Sequence, residues 1–151
     1  MQLELCKEFT FEASHVLPKH SGKCSRLHGH SWKLRVYVKG VIDPDTGFVM
    51  DYAILKSLVQ PIVDSLDHRH LGAWKSRDKL QGFVNIQIEG DHEVWGVQGL
   101  DNEFYPSSEN LILWIAKQVE IVPWSRLELD ETCTSRCILT REEYDTTIGI
   151  R

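Results

Sequence analysis

Cys24, His28 and His30 stand within the seven-residue run Cys24-Ser25-Arg26-Leu27-His28-Gly29-His30. Side chains two apart on a strand share a face, so an extended backbone aims His28 and His30 the same way. His15 ends the largely apolar run Phe9-Thr10-Phe11-Glu12-Ala13-Ser14 on the preceding segment. Three neutral imidazoles converging on one ion form the donor set of a zinc site whose fourth position is open. Such an ion works as a Lewis acid and lowers the pKa of the oxygen it binds. Alternating histidines also serve as ordinary polar strand residues. Cys24 has three readings: a fourth, closing ligand, a free nucleophile or base beside the metal, or a small packed or exposed thiol.

Further residues have both a chemical and a plain reading. Asp67 and His68 follow a predicted helix, and adjacent side chains need not face each other, so a solvated helix end explains them. If one reaches Cys24, it helps form the thiolate that pulls a proton from carbon. Glu131 ends a predicted strand, where a carboxylate can accept two parallel hydrogen bonds from the amide and amino groups of an aminopyrimidine. Glu109 lies in the first turn of a predicted helix, a place the helix dipole favours for any acid. By composition alone both glutamates are surface acids. His20, His70 and His92 lie in polar neighbourhoods and read as solvated. Cys133-x3-Cys137 without partners is a weak zinc signal, and packed or loop thiols explain it.

The elements that must position these residues follow from hydrophobic period and punctuation. Leu3 to His15 and His28 to Val41 are rich in aromatic and aliphatic residues with partial alternation, which predicts two paired strands across a Gly/Ser/Lys-rich loop. Asp43-Pro44-Asp45-Thr46-Gly47 is turn chemistry. Asp51 caps a predicted helix with Ile54, Leu55, Leu58, Val59, Ile62, Val63 and Leu66 on its apolar side, and Pro61 inside it predicts a kink or an early end. Ser107 or Ser108 caps a second helix bearing Leu111, Ile112, Ile115, Ala116 and Val119. Arg126 to Thr132 and Arg136 to Arg141 predict a closing strand pair. The intervening segment, about residues 73–104, alternates and turns as a hairpin would over Gly82 to Val97. No repeat or heptad pattern is present.

A chain of 151 residues with 42% hydrophobic content is long enough to bury a core without staples, and one domain over 1–151 accommodates it. The formal net charge of -5, with no basic run, argues against a general nucleic-acid or membrane-surface role. Four cysteines and no apolar targeting or spanning segment point to a reduced cytoplasmic protein.

Several motifs in one order resemble the family of 6-pyruvoyl-tetrahydropterin synthases and their relatives, the 6-carboxytetrahydropterin synthases of the queuosine pathway. They are Phe9-Thr10-Phe11-Glu12-Ala13-Ser14-His15, Cys24-x3-His28-Gly29-His30, Asp43-Pro44-Asp45-Thr46-Gly47 with Asp51-Tyr52, Leu66-Asp67-His68, Pro106-Ser107-Ser108-Glu109-Asn110 and Glu131-Thr132-Cys133-Thr134. The resemblance implies zinc on His15, His28 and His30, a catalytic thiol at Cys24, and a proton relay through Asp67 and His68. It implies pterin binding by Glu131, aided by Ser107, Ser108 and Glu109. Three residues between Cys24 and His28 resemble the queuosine type, since the biopterin enzymes have a longer gap.

The implied fold is α+β, the tunnelling fold: a four-stranded antiparallel sheet with two helices on one face, in the order ββααββ. Its sheets assemble into a trimeric barrel, two trimers making a hexamer with active sites between subunits. The implied reaction takes 7,8-dihydroneopterin triphosphate to 6-carboxy-5,6,7,8-tetrahydropterin, acetaldehyde and triphosphate. The rival readings are 6-pyruvoyl-tetrahydropterin synthase and a non-catalytic, zinc-stabilised pterin-binding assembly protein. Ser107 stands where the usual pattern has Thr, a change that keeps the hydroxyl, and the 73–104 segment is longer than in typical bacterial members.

Overall fold

The computed structural model describes residues 1–72, 96, 97, 100 and 104–149. Strands β1 (Leu3–His15) and β2 (His28–Gly40) pair antiparallel over their whole length, from Leu3 opposite Gly40 to His15 opposite His28. A single 3-10 turn, Lys23–Ser25, carries Cys24 in the loop between them. Helix α1 (Tyr52–Leu66) follows the predicted turn, with the Asp51 carboxylate accepting the Ala53 N–H at 2.6 Å. After a short strand β3 (Arg69–Leu71) comes α2 (Ser108–Gln118), where Ser107 Oγ accepts the Asn110 N–H at 3.3 Å. Strands β4 (Trp124–Thr132) and β5 (Ser135–Thr140) and a last helix α3 (Arg141–Gly149) complete the chain.

The sheet order is β3-β1-β2-β4-β5. One of its faces is an apolar row, with Phe9, Phe11, Trp32, Leu34, Val36, Leu127 and Leu129 buried. Against it pack Leu55, Val59, Val63 and Leu66 of α1 and Leu111, Ile112, Ile115 and Ala116 of α2. The opposite face is ionic. Arg35 donates through Nε to Glu8 at 2.9 Å and through Nη1 to Asp130 at 2.9 Å, and Arg136 Nε lies 3.2 Å from the same Asp130 carboxylate. This division of faces is the alternation read in β2, now shared by three strands.

The α+β architecture is as expected, with three differences. A fifth strand is present because Arg69–Leu71 pairs parallel with Ala13–His15, too few residues to show a period. Arg141 begins a third helix instead of ending a strand. The cap Thr140 Oγ1 accepts the Glu143 N–H at 3.3 Å and donates to its carboxylate at 3.1 Å, a cap with the Thr-x-x-Glu spacing of a capping box whose glutamate holds the hydroxyl rather than the cap's backbone N–H. Pro61 does not end α1, which continues to Leu66. An interior proline costs about 3 kcal/mol, whereas each fully buried aliphatic side chain contributes about 1.5–3 kcal/mol, and Val63 and Leu66 beyond the proline are both buried. The hairpin read over Gly82 to Val97, with His92, lies outside the described residues except for Gly96 and Val97.

Candidate metal centre

The apolar rows of the sheet turn into ligands at one end. On β1 the row Phe9, Phe11, Ala13 ends in His15. On β2 Leu34 and Trp32 are followed by His30 and His28, and on β4 Leu127 and Leu129 by Glu131. The register sets His15 opposite His28 and Ala13 opposite His30, so period 2 brings residues from distant positions to one spot. Trp32 lies against the group, its ring 5.3 Å from His15 and 5.4 Å from His30 between centroids, and its indole N–H donates to the Ala13 carbonyl at 3.2 Å.

Two carbonyls orient the imidazoles. His15 Nδ1 donates to the Pro106 carbonyl at 2.7 Å and His28 Nδ1 to the Arg26 carbonyl at 2.7 Å. A carbonyl only accepts, so in each neutral ring the proton is on Nδ1 and Nε2 carries a lone pair. Those Nε2 atoms face each other at 2.9 Å, an arrangement of two acceptors that calls for a cation between them. His30 Nε2 is buried without a hydrogen bond among the described residues, with Glu131 Oε1 3.0 Å away. Burial pushes His15 down to about 4 and also lowers His30, against the pull of Glu131, which keeps both rings in the neutral, metal-binding form. The ligand atoms of His15, His28, His30 and Glu131 all lie within 4.8 Å of one another. The donor set present therefore fits a metal ion.

The other predicted residues stand around this group. Cys24 is half-buried on its 3-10 turn and does not belong to the cluster. Ser107, Ser108 and Glu109 open α2, directly after the carbonyl of Pro106 that holds His15, and Ser108 Oγ donates to Glu109 at 3.1 Å. Asp67 and His68 form a pair of their own, Oδ2 to Nδ1 at 2.9 Å, with the His68 side chain 80% exposed. His70 corrects its solvated reading: it is 5% exposed, with Nδ1 2.9 Å from Ser14 Oγ. Its partner Ser14 was visible in the sequence, but the parallel pairing that joins them was not. All four cysteines are free. Cys133 is exposed in the β4–β5 turn, and Cys137 packs against the core.

The 6-pyruvoyl tetrahydropterin synthase family model matches residues 4–142. The chain belongs to this family. Within it, the chain is 38% identical over 137 residues to the 6-carboxy-5,6,7,8-tetrahydropterin synthase of Synechocystis, covering 85% of this chain and 86% of that one. It is 39% identical over 141 residues to the enzyme of the same name from Haemophilus influenzae, covering 89% and 96%. The fold is that of the Caenorhabditis elegans 6-pyruvoyl tetrahydropterin synthase, with a TM-score of 0.67 at 20% identity over 93% of this chain and 96% of that one. The expectation of a tunnelling-fold enzyme, a carbon–carbon lyase akin to the 6-carboxytetrahydropterin synthases, is borne out. Among the described residues no helix is long and apolar enough to cross a membrane.

Proposed function

We propose that this family member is a zinc-dependent lyase that converts 7,8-dihydroneopterin triphosphate to 6-carboxy-5,6,7,8-tetrahydropterin, acetaldehyde and triphosphate, as a step toward queuosine. The observation that carries this reading is the convergence of His15, His28 and His30, the first two with Nε2 lone pairs facing each other, a short chain distance from Cys24. The spacing Cys24-x3-His28 and the 6-carboxytetrahydropterin synthases among its relatives favour this product over a pyruvoyl one.

Zinc held by the three histidines supplies Lewis acidity toward the side-chain oxygens next to the pterin ring, which acidifies the neighbouring C–H bonds. The protein's own residues do the rest. Cys24 as thiolate takes and returns the carbon-bound protons. Asp67 holds His68 by Nδ1, which leaves its Nε2 pointing outward to relay protons to the thiol. In a hexamer of two trimers with sites between subunits, the exposed His68 of one chain serves the Cys24 of a neighbour. Glu131 takes the aminopyrimidine edge of the ring, with Ser107, Ser108 and Glu109 at the start of α2 beside it.

Incubation of the purified protein with dihydroneopterin triphosphate tests the reading. Acetaldehyde and a 6-carboxy product are expected. A pyruvoyl side chain without acetaldehyde would make the protein a 6-pyruvoyl-tetrahydropterin synthase, and an unchanged substrate would leave a zinc-stabilised pterin-binding protein.

A further inference from the structure

Glu131 is placed by its motif to anchor the pterin ring, yet its carboxylate reaches the histidines. Oε1 lies 3.0 Å from His30 Nε2 and 3.5 Å from His15 Nε2. Zinc bonds of about 2.0–2.2 Å in a tetrahedron set neighbouring ligand atoms about 3.3–3.6 Å apart. The His15 separation falls in that range and the His30 separation is shorter than it, so the oxygen lies within reach of a fourth ligand position.

The backbone supports the same placement. The ladder of β4 with β2 ends at Asp130, and its register against β5 shifts between Asp130 and Thr132. Glu131 is thus the residue at the irregularity, and bulges of this kind re-aim a side chain. Its side chain is 23% exposed while that of His15 is fully buried, so the carboxylate has a way out that the imidazole lacks.

We propose that Glu131 closes the metal site as its fourth ligand in the substrate-free protein, and that the arriving pterin draws the carboxylate away. This rests on the lyase reading for the identity of the ring. The amide and amino N–H groups of the pterin edge lie side by side and engage both carboxylate oxygens, a fork geometry stronger than a single contact. The exchange swaps one oxygen donor for another: the carboxylate leaves as a side-chain oxygen of the substrate arrives, with no change of oxidation state and no proton transferred. The ion is then open only when the ring is seated.

Zinc affinity of the intact protein and of Glu131→Gln, measured by competition with a chromophoric chelator, tests the ligand role. E131Q is expected to hold zinc at least about tenfold more weakly. Equal affinity in a folded E131Q would overturn the proposal. A second measurement needs no variant. With cobalt(II) in the site, wild-type protein is expected to give little enhancement of water-proton relaxation, because no exchangeable water binds the ion. An exchanging water in the wild-type, ligand-free protein sinks the idea, as does a cobalt spectrum that saturating 7,8-dihydroneopterin leaves unmoved. None of these readouts requires turnover. A closed site in a protein that releases no acetaldehyde keeps this inference and removes the lyase reading; an active protein with water on its metal does the reverse.

Discussion

Asp67 grips the backbone of Glu12: its Oδ1 accepts the Glu12 N–H at 2.8 Å, and the next residue returns a bond from the His68 N–H to the Glu12 carbonyl at 2.6 Å. The other carboxylate oxygen holds His68 Nδ1 at 2.9 Å. The Glu12 N–H, aided by His68, keeps Asp67 below the usual carboxylate range, so it is ionised wherever the imidazole is to be oriented. His68 itself sits at φ +56, a conformation that non-glycine residues adopt only when their surroundings enforce it.

Replacing Asp67 with Asn keeps an acceptor for Glu12 but offers His68 an amide that can donate, which turns the ring to the other tautomer. Turnover is expected to fall by about 10²–10⁴-fold, the usual weight of a general acid or base, with zinc content unchanged by metal analysis. A D67N protein with more than half of wild-type kcat would remove the pair from the relay.

For Cys24→Ala the expected result is loss of turnover with zinc still bound stoichiometrically, since the thiol lies outside the ligand cluster. Full activity in C24A refutes the thiol's role. Zinc loss in C24A would instead show that the thiol belongs to the coordination sphere.

Metal removal should be visible in the folding equilibrium. A ligand present at about a thousand times its Kd stabilises the native state by roughly 4 kcal/mol, which for a chain of this size corresponds to a Tm change on the order of 10 °C. Calorimetry with and without a chelator measures it. His15→Ala is expected to abolish the difference between the two scans.

His70 gives the protein an acid sensitivity of its own. Burial pushes it down to about 4 from an ordinary value of 6.5. Its contribution is whole above pH 6.5, where it is neutral both folded and unfolded, and is lost as pH falls toward 4, where the unfolded chain takes up the proton first. The stake is roughly 3 kcal/mol. Urea unfolding of wild type and His70→Gln between pH 7 and 4 should show the variant losing less stability over this window; parallel curves would contradict the assignment.

On the ionic face, Arg35 is the shared cation of Glu8 and Asp130, and the Asp130 and Glu128 side chains are each only 8% exposed. Arg35→Met should cost about 1.5–3 kcal/mol in urea unfolding, the weight of a charge-assisted hydrogen bond, because it takes the shortest ion pair from the nearly buried Asp130 while Arg136 stays on Asp130 and Arg126 and Arg136 stay on Glu128. A loss below about 1 kcal/mol would mean that the remaining arginines suffice.

The strands β1 and β2 and both capped helices were legible in the sequence because each carries a full period and a punctuating residue: Asp51, Ser107 and the His28-Gly29-His30 alternation. The histidine cluster was legible for the same reason, since alternation alone predicts two of the three directions. Glu131 continues the Leu127, Leu129 alternation of β4, but its closeness to His30 rests on the pairing of β4 beside β2, which alternation within one strand does not report. The polar neighbours of His70 in sequence hide its burial, which comes from a three-residue parallel strand beside Ser14. Pro61 misled in the other direction, since local propensity opposed a helix that the buried Val63 and Leu66 hold in place. The Thr140-x-x-Glu143 cap stands in plain view within a segment too polar to suggest a helix.

The pairing of His15 with His28 is also a reading frame. A slip of one residue between β1 and β2 would send the two imidazoles to opposite sides of the sheet and, with them, every apolar residue of the same row. Misregistered chains would therefore be both metal-blind and greasy on the wrong side. On the zinc reading proposed above, retention of the ion through gel filtration counts the correctly threaded molecules in a preparation, before any substrate is added.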